Sequence, residues 1–218
     1  MPELQDTVLE YMDAIAALGH RLMSAVSISL GHPPDFFRDA FLSPEPLLLF
    51  RIFNYPAQQQ QAEEKGERWG VAEHTDYGVL TILKQDDSGG LQVKNRKNEW
   101  IEAPPVPGSF VINIGDMLEK MTSGLYRSTP HRVRLTRGPR DRLSFPFFFD
   151  PSFTATVAPV PLPVGMAQGV QRSDDGYLRW DGASVDDFTG TYGEYLTAKV
   201  SRVFPELAKG GIGGYKAA

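Results

Sequence analysis

The 218-residue sequence predicts a mainly β protein, a sandwich or jelly roll with flanking helices. Helical periodicity holds only at the start of the chain. Eight short extended segments then follow one another at close intervals. The 21 Gly and 17 Pro fall largely between those segments, as turn residues do. Alternating β/α units would need longer helical stretches between strands, and the sequence does not supply them.

The first thirty residues read as one amphipathic helix, with Leu4, Val8, Tyr11, Met12, Ile15, Leu18 and Leu22 recurring at three- and four-residue spacing. Such a stripe suits packing against a sheet. His32-Pro33-Pro34 then ends the helix, because proline lacks the N–H that a helix interior requires. From Leu47 the period becomes that of strands: LLLFRIFNYP, EHTDYGVLTILKQ, GLQVKN, EWIEAPP, GSFVINIG, TPHRVRLT, RLSFPFFFD and TATVAPV. QQQQAEEKGER is polar and reads as a surface loop; DDSGG, NRKN and RGPRD read as turns. In GDMLEKMTSG the spacing of Asp116 and Glu119 predicts an acidic capping box on a short helix, with a structural role for Asp116 and a stop at Gly124. Residues 165–185 read as irregular, DDFTGTYGEYLTAKVSRVF as a C-terminal helix, and GGIGGYKAA as a tail. The chain divides as 1–46, helix and connector; 47–164, sandwich core; and 165–218, excursion, helix and tail of the same domain.

Composition narrows the chemistry. With 41% hydrophobic and 22% charged residues, the chain has the make-up of a folded domain. Zero cysteines exclude disulfides, thiolate nucleophiles, Cys-ligated zinc and iron–sulfur clusters. A net charge of −5 argues against nucleic acid as partner, even with six arginines between 127 and 142, because Arg132 and Arg134 alternate onto the outer side of their strand. No apolar run reaches membrane-spanning length and the N-terminus lacks a signal-peptide shape, so a cytoplasmic protein is expected.

Four histidines are present. His20, within the first helix, and His32, beside the double proline, read as structural or solvated. His74 and Asp76 stand two apart in EHTDYG, where an extended backbone points both side chains to one face. His131 follows on another strand and shares the less polar side with Thr129, Val133 and Leu135, a position that requires a partner for the imidazole. Two imidazoles and one carboxylate match the facial set of non-haem Fe(II) sites, which leaves adjacent positions open. In RLSFPFFFD, Arg142 and Ser144 share one strand face, and Leu143, Phe145, Phe147 and Phe149 share the other. The aromatic face suits the N-terminal helix, leaving Arg142 in the sandwich interior, where a guanidinium takes either an internal acid or an external anion.

The ordered set His74-x-Asp76, His131 and Arg142-x-Ser144 resembles the 2-oxoglutarate/Fe(II)-dependent dioxygenases, in the branch that includes isopenicillin N synthase and the plant flavonoid and hormone oxygenases. RIFNYP, GGLQV, PGSFVINIGDML and GLYRSTPHRV add to the resemblance, which runs from about Leu47 to Phe153. It implies a double-stranded β-helix (jelly roll, cupin-like), with Fe(II) on His74, Asp76 and His131. It also implies that Arg142 and Ser144 bind the C5 carboxylate of 2-oxoglutarate and that Tyr55 reaches the same co-substrate. Phe53 stands where plant members commonly carry asparagine. No catalytic residue beyond the metal centre is implied. The implied reaction consumes O2, oxidises a small molecule by hydroxylation or desaturation, and releases succinate and CO2. Family chains usually carry a further segment ahead of the first helix, so the resemblance also implies an N-terminally short member. Two alternatives stay open: an Fe(II) oxidase of the same family that does not use 2-oxoglutarate, and a non-catalytic binding protein. Oligomeric state has no signature in the sequence.

Overall fold

A computed structural model describes residues 2–57, 68–135, 139–166 and 184–205. Among the described residues, four helices, α1 (Pro2–Ser29), α2 (Phe36–Phe41), α3 (Asp116–Met121) and α4 (Tyr192–Val203), accompany nine strands. The strands are β1 (Leu47–Phe50), β2 (Phe53–Tyr55), β3 (Trp69–His74), β4 (Leu80–Gln85), β5 (Leu91–Lys94), β6 (Trp100–Glu102), β7 (Val111–Ile114), β8 (His131–Arg134) and β9 (Arg142–Asp150). They form a larger sheet in the order β1-β9-β4-β7, with β2 also on β9, and a smaller one in the order β3-β8-β5-β6. Every strand pairing is antiparallel. This is the jelly-roll architecture expected from the short strands and Gly/Pro turns.

A smaller apolar cluster, Leu83, Leu91 and Val133, lies between the sheets, and the larger one lies outside the sandwich, between the helices and the outer face of the larger sheet. Ile15 and Met23 of α1, Phe37 of α2, Met117 and Met121 of α3, and Tyr192 of α4 meet Ile82, Phe147 and Phe149 there. The stripe on α1 therefore packs on a sheet, as expected, except that Leu4 at its start is exposed. His20 sets its ring edge against Phe149, with centroids 5.0 Å apart, and His32 stacks on Phe36 at 3.9 Å. Both histidines thus have packing partners. After Gly31, at a left-handed φ of 78°, and the two prolines, α2 forms to bury Phe37 and Phe41, one helical turn apart. Its four-residue spacing is the only local signal, and it is short.

Four expectations need correction. LLLFRIFNYP is two strands in one continuous register on β9, broken where Arg51 faces Pro146, which has no N–H to give. EHTDYGVLTILKQ is not one strand: β3 ends at His74, and residues 75–79 cross to β4 in the other sheet. TATVAPV contributes only an isolated bridge between Thr156 and Thr191. Finally, Asp116 does not cap α3. Gly115 occupies the N-cap, and tertiary partners take the carboxylates of Asp116 and Glu119 instead, Tyr195 Oη–H and the Ser128 N–H. Gly124 still closes the helix, at a φ of 83° with its N–H on the Glu119 carbonyl. Most of the polar loop after Tyr55, much of 165–185 and the C-terminal tail lie outside the described residues.

On the outer face of the smaller sheet, the Arg132 guanidinium lies 3.9 Å from both the Trp69 and Trp100 rings and donates to Gln92 at 2.7 Å. Arg134 pairs with Glu102 and Arg140 with Asp87, each at 2.7 Å. These arginines are committed to the protein's own surface.

Candidate metal centre and anion pocket

Between the sheets lies a cavity of about 330 Å³, lined by residues of both. His74 at the end of β3 and His131 at the start of β8 face each other in strand register, with ring centroids 4.3 Å apart. Asp76 joins them from the crossing segment. The Nε2 atoms of both histidines stand 3.7 Å from Asp76 Oδ1, and the three ligand atoms lie within 4.8 Å of one another.

Each ligand atom is left available by a bond made elsewhere on its own side chain. His74 Nδ1 sits 2.9 Å from the Ala72 carbonyl and His131 Nδ1 sits 3.0 Å from that of Thr129. A carbonyl can only accept, so Nδ1–H is the donor and Nε2 keeps its lone pair. Burial, reinforced by His131, pushes His74 below the usual imidazole range and favours this neutral form. Asp76 Oδ2 accepts from Thr81 Oγ1 at 2.6 Å and Asn113 Nδ2 at 2.7 Å, which turns Oδ1 toward the histidines. Burial raises the Asp76 carboxyl, but His131, His74, Thr81 and Asn113 together outweigh it and hold it below the usual carboxylate range. Two imidazoles with Nε2 turned inward and one ionised carboxylate are a donor set that suits a divalent metal.

The backbone of Asp76 is fastened as firmly as its side chain. The Asp116 and Met117 N–H groups, at the start of α3, donate to the Asp76 and Gly78 carbonyls at 2.8 and 2.9 Å. Gly115 is required at this junction because a Cβ there would collide with the Gly78 carbonyl. Tyr195 of α4 donates to Asp116 Oδ2 at 2.9 Å, and Tyr192 donates to Asp150 Oδ2 at 2.6 Å. Gly78 lies so close to the Asp150 carboxyl that a side chain has no room. Burial pushes Asp150 up to about 7, against the hydrogen bond from Tyr192. The same helix brings Leu196 and Val200 to the cavity wall.

Deeper between the sheets, Arg142 and Ser144 are buried on the cavity side of β9. Arg142 Nε donates to the Gly89 carbonyl at 2.6 Å and Nη2 to Gln85 Oε1 at 3.3 Å. Nη1 is buried with no hydrogen-bond partner among the described residues. No carboxylate forms a salt bridge with this guanidinium among those residues, so of the two possibilities the external anion fits better. Burial weakens the proton affinity of Arg142, an effect an arriving anion reverses. Tyr55 faces Arg142 in register, its ring centroid 5.0 Å from the guanidinium, and burial raises its hydroxyl pKa while Arg142 opposes this.

All six sequence-selected residues therefore line one cavity. The residues that reading missed are Thr81, Asn113, Asp150, Tyr192 and Tyr195. Thr81 and Asn113 had a signal, since each is a lone polar residue within an apolar strand (VLTIL and FVINI). The tyrosines and Asp150 had none, because their bonds join segments far apart in sequence.

Residues 45–151 match the model of the 2OG-Fe(II) oxygenase superfamily. A Dictyostelium discoideum protein named "Probable iron/ascorbate oxidoreductase" is 50% identical over 93% of this chain and 57% of its own length. A homoarginine-6-hydroxylase of Oryza sativa subsp. japonica is 36% identical over 91% of this chain and 56% of its own. Full-length Neurospora crassa T7H, in complex with alpha-KG and thymine, superimposes with a TM-score of 0.74 at 26% identity, covering 92% of this chain and 57% of that one. The chain thus spans somewhat over half the length of these relatives. With the jelly roll, the His-Asp-His cluster and the family match in agreement, the chain belongs to the 2OG-Fe(II) oxygenase superfamily.

Proposed function

We propose that this protein is an Fe(II)- and 2-oxoglutarate-dependent oxygenase of the isopenicillin N synthase-like branch, hydroxylating or desaturating a small molecule. One observation carries the reading. Three metal-ligand atoms converge in the same cavity as a buried arginine whose Nη1 has no partner among the described residues. A likeness to a chain named as a hydroxylase supports the reaction class.

In this reading His74, Asp76 and His131 hold the iron, and Arg142 and Ser144 receive the distal carboxylate of 2-oxoglutarate, with Tyr55 beside them. Bound Fe(II) supplies the redox chemistry by which 2-oxoglutarate, O2 and a substrate C–H become succinate, CO2 and a C–OH. The protein's part is positioning and dryness. Carbonyls fix both imidazole tautomers, Thr81 and Asn113 fix the carboxylate, Arg142 sets the direction of the co-substrate, and Leu196 and Val200 wall off water. The helix-and-connector, core and C-terminal parts (1–46, 47–164 and 165–218) act as one unit. No helix among the described residues is long and apolar enough to cross a membrane. A cytoplasmic setting completes the reading, since Fe(II) requires reducing surroundings.

Purified protein supplied with Fe(II), 2-oxoglutarate and air should form succinate in step with O2 consumption, with both stopped by chelation of the metal. O2 consumption with substrate but without succinate assigns the chain to the 2-oxoglutarate-independent oxidases. Failure to bind Fe(II) makes it a non-catalytic binding protein.

A further inference from the structure

The strand pair that forms one wall of the cavity presents a ladder of facing side chains. On β1, β2 and the break between them, Leu47, Leu49, Arg51, Phe53 and Tyr55 alternate onto the cavity side. Opposite them on β9 stand Asp150, Phe148, Pro146, Ser144 and Arg142. Arg51 occupies the middle rung, its N–H on the Pro146 carbonyl at 3.1 Å, with apolar Leu49 and Phe53 on either side. It lies four strand positions from the rung of Arg142, on the order of 13 Å along the sheet, too far for one five-carbon diacid to serve both forks without large side-chain movement. Its side chain makes no hydrogen bond or ion pair among the described residues, and the residue is exposed while lining the cavity.

Charge balance gives this residue its meaning. With Fe(II) on one carboxylate, Asp76, and 2-oxoglutarate bringing two more, of which the distal one meets Arg142, the charges of metal, Asp76, co-substrate and Arg142 would sum to zero. The other acid lining the cavity, Asp150, is buried and takes the Tyr192 hydroxyl. Arg51 stands four strand positions from the rung of Asp150, on the order of 13 Å along the sheet, so its guanidinium has apolar wall rather than an acid beside it. A guanidinium in that setting favours a carboxylate, whose geometry matches its fork.

We propose that Arg51 anchors the substrate and that the substrate is a small acid carrying one carboxylate. Its apolar part lies along Leu49, Phe148 and Leu196, which places a C–H toward the metal side of the cavity. At about 330 Å³ the cavity is near the lower limit for small-molecule sites, and co-substrate occupies part of it, so the acid is small. This proposal rests on the oxygenase reading and names its substrate class.

The test uses wild-type protein, Arg51→Met and Arg51→Lys, each loaded anaerobically with Fe(II) and 2-oxoglutarate. The visible absorption of the chelated keto acid verifies loading; its absence from wild type refutes the oxygenase reading itself, separately from the role of Arg51. Hexanoate, phenylacetate and arginine are then titrated, each beside its amide, and binding is read from the shift of that absorption. The expected result is that at least one acid binds wild type and its amide does not. Arg51→Met should lose roughly 10- to 100-fold in affinity for that acid, the range of a charge-assisted hydrogen bond, and Arg51→Lys should recover part of it. Acids and amides binding wild type equally, no acid binding at all, or an unchanged acid affinity in Arg51→Met would each overturn the proposal.

Discussion

The two faces of β9 are built from the same backbone and do opposite work. On the helix side Phe147 and Phe149 are fully buried in the apolar core, packed against α1. On the cavity side Arg142, Ser144 and Asp150 are nearly as buried, yet polar. Burying aromatic rings is favourable and burying a guanidinium is costly, so the first face stabilises the fold and the second draws on that stability. A strand with period two can keep these duties one residue apart. Stability and chemistry in this protein should therefore respond to different substitutions on the same strand.

The largest effect is expected on the helix side. Phe149→Ala removes a ring set against His20, between the Leu48 and Leu80 positions of neighbouring strands, and should cost about 3–5 kcal/mol of unfolding free energy. Urea titration measures this, and the Fe(II) affinity of the folded fraction should stay as in wild type. A parallel loss of metal affinity would show that the two faces are not separable.

A smaller effect is expected where support reaches the metal ligands indirectly. Asn113→Ala removes one of the two hydrogen bonds that turn Asp76 toward the histidines. Fe(II) affinity, read by calorimetry under argon, should fall about 10- to 100-fold with little change in stability. Unaltered affinity would mean that Thr81 alone orients the carboxylate.

The smallest effect is a pH dependence. Burial pushes the Asp150 carboxyl up to about 7, well above the ordinary carboxylate range near 4. Between those values the folded protein keeps a proton that the unfolded chain has released, so this contribution is full below about pH 4 and is lost as pH rises to about 7. Asp150→Asn keeps an acceptor for Tyr192 and cannot ionise. The stability of wild type relative to this variant should therefore decline from pH ~5 to pH ~8. Burial of His74 acts in the opposite sense but is common to both proteins. A difference independent of pH would show that Asp150 is not held in its neutral form.

How much of this was legible in the sequence follows the same division. His74-x-Asp76, His131 and Arg142-x-Ser144 were legible because strand spacing and residue chemistry are local, and the fold brings all five to one cavity. The sequence placed Asp76 on a strand, whereas it stands on the segment that leaves β3 for the other sheet. Its orientation comes from Thr81, Asn113 and the start of α3 rather than from strand alternation. The supposed capping box failed for a related reason: Asp116 and Glu119 have the right spacing, but Tyr195 and Ser128 reach their carboxylates from elsewhere in the fold. Ligands were readable because they form a pattern along the chain. Their supports were not, because each is a meeting of distant segments.

We propose that the polar face of β9 receives the carboxylate that accompanies the metal. Anaerobic titration of the Fe(II)-loaded protein with 2-oxoglutarate, followed by visible absorption, tests it most directly when wild type and Arg142→Met are compared. Wild type should show a saturable band at one equivalent of co-substrate, with affinity lowered by about 10- to 100-fold in Arg142→Met. A band of equal affinity in both proteins, or no band in wild type, would contradict it.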